Sequence, residues 1–79
     1  MTLLEGEISK DFIVAGMHLS DTVMRRLEAL GIFEGTRVKI LGKKRQGALI
    51  IKVRGTRWAL GREIARGIQV EENSDERDH

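Results

Sequence analysis

The sequence predicts a small, mainly β domain: an antiparallel barrel of about five strands, with one helix after the first strand and a short helical turn before the last. Three observations predict it. One segment has the apolar period of a helix, the later segments have a period of two, and glycine-rich turns separate them. The 79 residues suffice for one small domain, and the chain has no cysteine for disulfides or thiolate metal sites.

The first two elements are a strand and the helix. Residues 7–18 are rich in strand formers, and we expect one strand there with a turn or bulge near Lys10 and Asp11. Ser20 is a good helix N-cap, because its hydroxyl can accept a hydrogen bond from a free backbone N–H. Gly31 supplies the left-handed stop at the other end. Between them an apolar stripe recurs at i, i+4 and i+7, formed by Val23, Leu27 and Leu30.

The remaining elements are strands joined by short turns. A glycine-bounded turn, 42–47, links two alternating segments, and a tight turn at Gly55 and Thr56 leads to a strand over 57–60. A helical turn over Arg62–Arg66 then precedes a last strand containing Ile68 and Val70. The alternation predicts that five side chains face inward: Val38, Ile40, Leu49, Ile51 and Val53.

The connections are too short for crossovers, so the sheet is antiparallel. So few strands cannot form a stable flat sheet with one wet face, and closure removes the edges. A small SH3-like barrel is therefore the predicted fold, with one domain over residues 1–72 and a disordered acidic tail over 73–79.

Charge is distributed unevenly along the chain. Residues 71–79 hold five acids and one arginine, a net charge of −4, so residues 1–70 carry +6 of the total of +2. A basic module with an acidic tail suggests an acidic partner surface or nucleic acid, and ordinary solubility charge is the alternative. The start of the chain lacks an export signal, and its longest apolar run covers only 48–51. We expect a cytoplasmic protein whose connection to a membrane is indirect.

Catalysis and metal binding are not expected. The two histidines are His18 and His79, and no nucleophilic triad can be assembled from them. No phosphate-binding glycine loop follows a strand. Two weak metal sets exist, one around His18 with Asp11 or Asp21 and one in the acidic tail with His79. Neither offers three or four converging ligands with supporting contacts, so we predict no metal and no cofactor.

Basic and apolar side chains are the candidates for binding a partner. The hairpin bases Lys43, Lys44 and Arg45 could contact phosphates, as could Arg54, Arg57 and Arg62. Nucleic-acid binders usually add stacking aromatics, and the chain has three aromatic residues, so we do not expect nucleic acid to be the partner. We expect Phe33 to be core, whereas Trp58 could be half exposed or core. Three apolar side chains do not belong to the set predicted to face inward. They either pack against the rest of the domain or form a docking patch for a partner: Met24, Leu41 and Ile50.

Two long stretches resemble a known family. They run over 24–36, from Met24 to Thr36, and over 51–63, from Ile51 to Glu63. With the later Ala65, Ile68 and Val70, they resemble the FeoA family, the small ferrous iron transport protein A, over about residues 2–72. Two positions depart from the family pattern: Glu34 where proline is usual, and Gly61 where a larger, often basic, residue is common.

The resemblance implies an SH3-like barrel that acts as a cytosolic accessory to FeoB, a membrane ferrous iron transporter with a cytoplasmic GTP-binding domain. It implies docking on that cytoplasmic part. Nucleic-acid binding and a metal-responsive regulatory module are the alternatives, since the same barrel resembles the C-terminal module of iron-dependent repressors. Weak homo-oligomerisation also stays open. The predicted partner-binding residues are Met24, Arg25, Glu28, Lys43, Lys44, Arg45, Arg57 and Trp58.

Overall fold

The fold is one five-stranded antiparallel sheet, described by a computed structural model over residues 1–73. It holds five strands, β1 to β5, two α-helices, α1 and α2, and two short 3₁₀ turns. In chain order the elements are a 3₁₀ turn (Leu3–Glu5), β1 (Asp11–Met17), α1 (Asp21–Ala29), β2 (Arg37–Lys43), a 3₁₀ turn (Arg45–Gly47), β3 (Leu49–Val53), β4 (Thr56–Leu60), α2 (Arg62–Arg66) and β5 (Ile68–Glu72). The predicted mainly-β, SH3-like fold is confirmed.

The strand order is β4-β3-β2-β1-β5, so the first strand lies between β2 and the last strand. Register shifts bend the two long strands, in β1 between Val14 and Gly16 and in β2 between Ile40 and Gly42. Within residues 1–73, β4 and β5 are not paired with each other, so the predicted closure is incomplete. The amino-terminal segment covers part of the β5 edge instead, through a bridge between Thr2 and Gln69.

The core confirms the predicted alternation. All five side chains expected to face inward are at most 1% exposed. Leu3 and Phe12 add large fully buried side chains, and α1 contributes Leu27. Burial of a large apolar side chain contributes about 1.5–3 kcal/mol, so this thin core depends on each of them.

Helix α1 begins and ends as its sequence predicts. The Ser20 hydroxyl oxygen accepts a hydrogen bond from the Val23 backbone N–H at 3.3 Å. Gly31 follows the helix with a φ of +89°, the left-handed conformation that terminates helices. Of the predicted stripe, Leu27 is buried, whereas Val23 and Leu30 are half-buried against the core.

Three turn boundaries differ from the predictions. The first strand begins at Asp11, after a turn at Ile8 and Ser9, because Ser9 adopts a positive φ that ends extended pairing there. β2 extends to Lys43, which shortens the predicted turn over 42–47. The tight turn lies at Arg54 and Gly55, both at positive φ, so Thr56 already belongs to β4.

Phe33 is not part of the core, contrary to the prediction, and 40% of its surface is exposed. The preceding residue, Ile32, is fully buried and takes the inward position after the helix. Neighbouring side chains in a non-helical segment point in different directions, so burying Ile32 turns the Phe33 ring outward.

An exposed ion-pair group connects the start of β1 to the end of β5. Lys10 Nζ lies 3.2 Å from a Glu7 carboxylate oxygen and 3.4 Å from one of Glu72. The hydrogen bonds to Glu7 and Glu72 raise the pKa of Lys10 above its usual 10.5. The predicted tail begins at Asn73, the last described residue, and its continuation over 74–79 lies outside the described residues.

Candidate partner-binding site

The outward face of β2, β3 and β4 carries both apolar and cationic side chains. Leu41 and Ile50, which the inward pattern left out, are half-buried there. The register shift between Ile40 and Gly42 leaves Leu41 without a paired residue on β3, and Gly42 pairs with Ile50. A shallow groove of about 480 Å³ lies at this pairing, and we call it the hairpin groove. It is lined by Leu41, Gly42, Lys43, Lys44, Ile50 and Arg57.

A second depression lies further along the same strands. Its volume is about 450 Å³, and four cationic side chains line it against one carboxylate, that of Asp11. We call it the basic cleft. Its lining residues are Asp11, Gly35, Thr36, Arg37, Lys39, Lys52, Arg54 and Gly55.

One row of cations crosses the face that carries the hairpin groove and the basic cleft. Lys39 of β2 pairs with Lys52 of β3, and Lys52 pairs with Arg57 of β4. Directly opposed residues in an antiparallel sheet lie about 4.5–5.5 Å apart, so these three positive side chains are neighbours. Arg57 therefore belongs both to the row and to the hairpin groove.

A third depression, the helix cleft, lies beside α1. It has a volume of about 390 Å³, and its lining combines methionines, an aromatic ring and two carboxylates. The residues are Gly16, Met17, Met24, Glu28, Phe33 and Glu34.

The predicted site residues are divided among these depressions. Lys43, Lys44 and Arg57 line the hairpin groove, whereas Met24 and Glu28 line the helix cleft. Arg25, Arg45 and Trp58 line none of the three, although Arg25 and Arg45 are exposed. The predicted set is therefore not one surface.

Trp58 lies on the inward side of β4. It pairs with the buried Ile51, it is half-buried, and it packs against the core cluster. Its indole Nε1 is buried and has no hydrogen-bond partner within the described residues. This position favours the core alternative and leaves Ile50 and Leu41 as the apolar side chains that a partner can reach from the outward face.

Sequence reasoning missed the basic cleft as a site. Arg37, Lys39, Lys52 and Arg54 are outward by alternation, but none is among the predicted partner-binding residues, and of the four only Arg54 is considered as a phosphate contact. The available signal was the antiparallel pairing of two segments that each place a cation at every second position. Pairing sets their register, and the register brings the cations of both strands together.

Arg54 is held over Phe33 by the turn between β3 and β4. Its Cζ lies 5.4 Å from the centroid of the Phe33 ring, within cation–π range. The turn places Arg54 at a φ of +52° and Gly55 at +83°, the type I′ pattern of a two-residue hairpin. Thr36, buried nearby, organises the preceding loop by accepting the Phe33 N–H at 3.1 Å and donating to the Gly31 carbonyl at 3.2 Å.

Two further features bear on chemistry. Within residues 1–73, no group of three or more histidine, aspartate or glutamate side chains is placed to hold a metal ion. The predicted weak set that includes His79 falls outside those residues. None of the helices described is long and apolar enough to cross a membrane.

Comparison with known proteins identifies the family. The model of the FeoA domain matches residues 1–72. The chain belongs to the FeoA family. This family is linked to ferrous iron transport, which confirms the predicted resemblance over essentially the whole described chain.

Solved structures agree with the family. The FeoA protein of Chlorobium tepidum is 26% identical, with a TM-score of 0.88, over 100% of this chain and 76% of that one. The zinc complex of Stenotrophomonas maltophilia FeoA, described as a procaryotic SH3 domain protein, is 32% identical at a TM-score of 0.76, over 90% and 89% of the two chains. No curated protein matches the chain.

The same fold occurs in a protein of another class. The manganese-activated repressor ScaR is 28% identical, with a TM-score of 0.82, and the match covers 92% of this chain but 35% of ScaR. This FeoA chain is thus similar to one part of a longer repressor. The barrel alone does not distinguish a transport accessory from a regulatory module, and the surface must do so.

Proposed function

We propose that this FeoA protein is a cytosolic accessory of ferrous iron transport that binds the cytoplasmic part of a FeoB-like transporter through the hairpin groove. Family membership supports the link to transport. The observation that carries the choice of surface is the apolar floor of the groove. Leu41 and Ile50 lie half-buried on the outward face, and cationic side chains flank them.

This arrangement has the anatomy of a protein interface. Interfaces combine an apolar centre, which loses water on binding, with a polar rim, and arginine is frequent among the residues that dominate their energetics. Arg57 can lay its guanidinium along the groove and form paired hydrogen bonds with a partner carboxylate. Lys43 and Lys44 are exposed and would mainly accelerate association with an acidic surface.

The cationic side chains of the groove form few contacts with other described residues. Lys43 Nζ donates to the Leu4 carbonyl oxygen at 3.3 Å, which fixes one side of the groove against the amino-terminal turn. Lys44 and Arg57 form no ion pair within residues 1–73. A carboxylate partner therefore meets two cations that need not first be released from an internal acid.

Calorimetric titration with the purified cytoplasmic region of the transporter tests the proposal. The variants Ile50→Thr and Arg57→Thr keep strand-forming residues at exposed or half-exposed positions of the sheet, and each is expected to weaken binding at least about tenfold. Met24→Gln, in the helix cleft, is the matched control and is expected to bind like the native chain. Circular dichroism checks that all three variants remain folded.

The outcomes separate the candidate surfaces. Loss of binding in Met24→Gln, with native affinity in Ile50→Thr and Arg57→Thr, would move the interface to the helix cleft. Absence of binding by the folded native chain at micromolar concentration would reject the role as a direct partner of this transporter region.

A further inference from the structure

The lining of the basic cleft is mainly cationic. Its lining includes Arg37, Lys39, Lys52 and Arg54, and Asp11 is the single carboxylate among the lining residues. Within residues 1–73, Lys39, Lys52 and Arg54 take part in no ion pair. The cleft is therefore a site for a negatively charged occupant.

The row of cations makes this arrangement costly without such an occupant. Lys52 is directly opposite Lys39 on one side and Arg57 on the other. Like charges at opposed positions destabilise a sheet pair by a few tenths to about 1 kcal/mol. An anion that contacts both strands removes that repulsion.

The last described residue, Asn73, lies at the rim of the cleft. The Asn73 backbone N–H donates to the Asp11 carbonyl oxygen at 3.1 Å, and Asp11 lines the cleft. The six residues that follow contain three carboxylates, those of Asp75, Glu76 and Asp78, against one arginine. Glu72, just before them, is engaged elsewhere, with Lys10.

The distances permit contact. β1 carries Asp11, and the strands bearing Lys39 and Lys52 are its first and second neighbours on one side. Neighbouring strands lie about 4.8 Å apart, so Lys52 is roughly 10 Å from the strand that holds Asp11. An extended segment spans up to about 3.3 Å per residue, so three residues beyond Asn73 cover that distance.

We propose that the basic cleft is the docking site of the chain's own acidic segment, residues 74–79. The segment is tethered at the rim, so its effective concentration at the cleft is in the millimolar range, and weak charge pairing suffices to occupy the site. Docking of this kind needs no apolar anchor, which agrees with the composition of the segment. An acidic partner that uses the cleft must displace the segment and binds more weakly as a result.

The character of the cleft favours a carboxylate segment over nucleic acid. None of the lining residues is aromatic, so bases would have no stacking surface. Asp11 would repel a continuous phosphate backbone, whereas a segment that contains Arg77 places a cation among its acids.

Amide chemical shifts of the full chain test the proposal. The tail variant Asp75→Asn, Glu76→Gln, Asp78→Asn is expected to move the amide resonances of residues 37–39 and 52–54 relative to the native chain. A control variant, Asp21→Asn with Glu28→Gln and Glu63→Gln, neutralises three carboxylates on helices that do not line the cleft. It is expected to leave those resonances in place. Raising NaCl from 50 to 500 mM is expected to abolish the tail-dependent shifts.

Competition with an added acid provides a second readout. Hexaglutamate is expected to bind the tail variant about three- to tenfold more tightly than the native chain, because the tethered competitor is gone. The cleft variant Lys39→Gln, Lys52→Gln is expected to remove this difference.

Two results would overturn the proposal. The first is a set of shifts confined to residues 70–73 and the tail itself in the tail variant. The second is equal hexaglutamate affinity in the native chain and the tail variant.

Discussion

The Arg54 guanidinium lies over the Phe33 ring, with 5.4 Å between Arg54 Cζ and the ring centroid, and the Arg54 backbone has a φ of +52°. A non-glycine residue at positive φ costs of order 1 kcal/mol. Asparagine followed by glycine is the preferred pair for this turn type, yet arginine occupies the position. The strained backbone allows the Arg54 side chain to contact Phe33 and to line the basic cleft.

Arg54→Asn is expected to raise the free energy of unfolding by up to about 0.5 kcal/mol. Relief of backbone strain in the Asn-Gly turn outweighs the loss of an exposed cation–π contact of about 0.5–1 kcal/mol. Arg54→Lys keeps the charge and the strain but loses the planar stacking, and it is expected to be slightly less stable than the native chain. Urea denaturation measures both, and the reverse order of the two variants would contradict this explanation of the turn.

Lys52→Thr is expected to stabilise the domain at low salt by a few tenths to about 1 kcal/mol. It removes the middle member of the cation row and places a good strand former on the face. The gain is expected to shrink as NaCl rises from 20 to 500 mM, since salt screens exposed charges. Arg45→Gln, at the exposed hairpin tip, is the control for loss of one positive charge. Thermal unfolding at both salt concentrations provides the measurement, and an equal gain in the control would remove the role of the row.

Gly67→Ala is expected to lower the free energy of unfolding by about 1–3 kcal/mol through overpacking. A Cβ at this position would lie 2.9 Å from the His18 carbonyl oxygen, a backbone atom that cannot easily move aside. It would also collide with the Leu19 side chain. The hydrogen bond from the His18 N–H to the Gly67 carbonyl, 2.7 Å long, fixes this close approach.

Gly16→Ala is the matched control for Gly67→Ala, because an added Cβ at Gly16 would meet no atom within 4 Å. It is expected to be neutral or slightly stabilising, since alanine restricts the unfolded chain. Chemical denaturation of the two variants under one set of conditions compares them. Similar stabilities would show that the approach of α2 to the segment after β1 is loosely packed.

Ser20→Ala is expected to cost about 0.5–2 kcal/mol, because it leaves the Val23 N–H without its capping acceptor. Thr22→Ala, on the exposed first turn of the same helix, is the control and is expected to change stability by less than about 0.5 kcal/mol. Equal effects of the two substitutions in thermal unfolding would mean that the cap contributes nothing.

The sequence predicted the elements whose signals are local. The cap at Ser20, the stop at Gly31 and the alternation of the central strands depend on neighbouring residues, and the structure confirms all three. The exposure of Phe33 could not be predicted in this way. It depends on Ile32 taking the inward position and on Arg54, twenty-one residues later, covering the ring.

The candidate site shows the same limit more strongly. Alternation placed Lys39 and Lys52 outward, but only the register between β2 and β3 makes them direct neighbours. The division of Met24 from Arg57 into separate depressions likewise depends on how α1 lies against the sheet. Periodicity shows which side of an element is outward, whereas tertiary packing decides which outward sides form one surface.

The pairing of β1 with β5 joins the two ends of the domain. Val14 lies opposite Val70, a separation of 70 − 14 = 56 residues, whereas β2, β3 and β4 are linked by short hairpins. Contacts of such different sequence separation form at different rates, because closing a long loop carries a larger entropic cost. We therefore expect β2, β3 and β4 to assemble early and the pairing of β1 with β5 to form last. Val70→Ala is then expected to accelerate unfolding while leaving the refolding rate nearly unchanged.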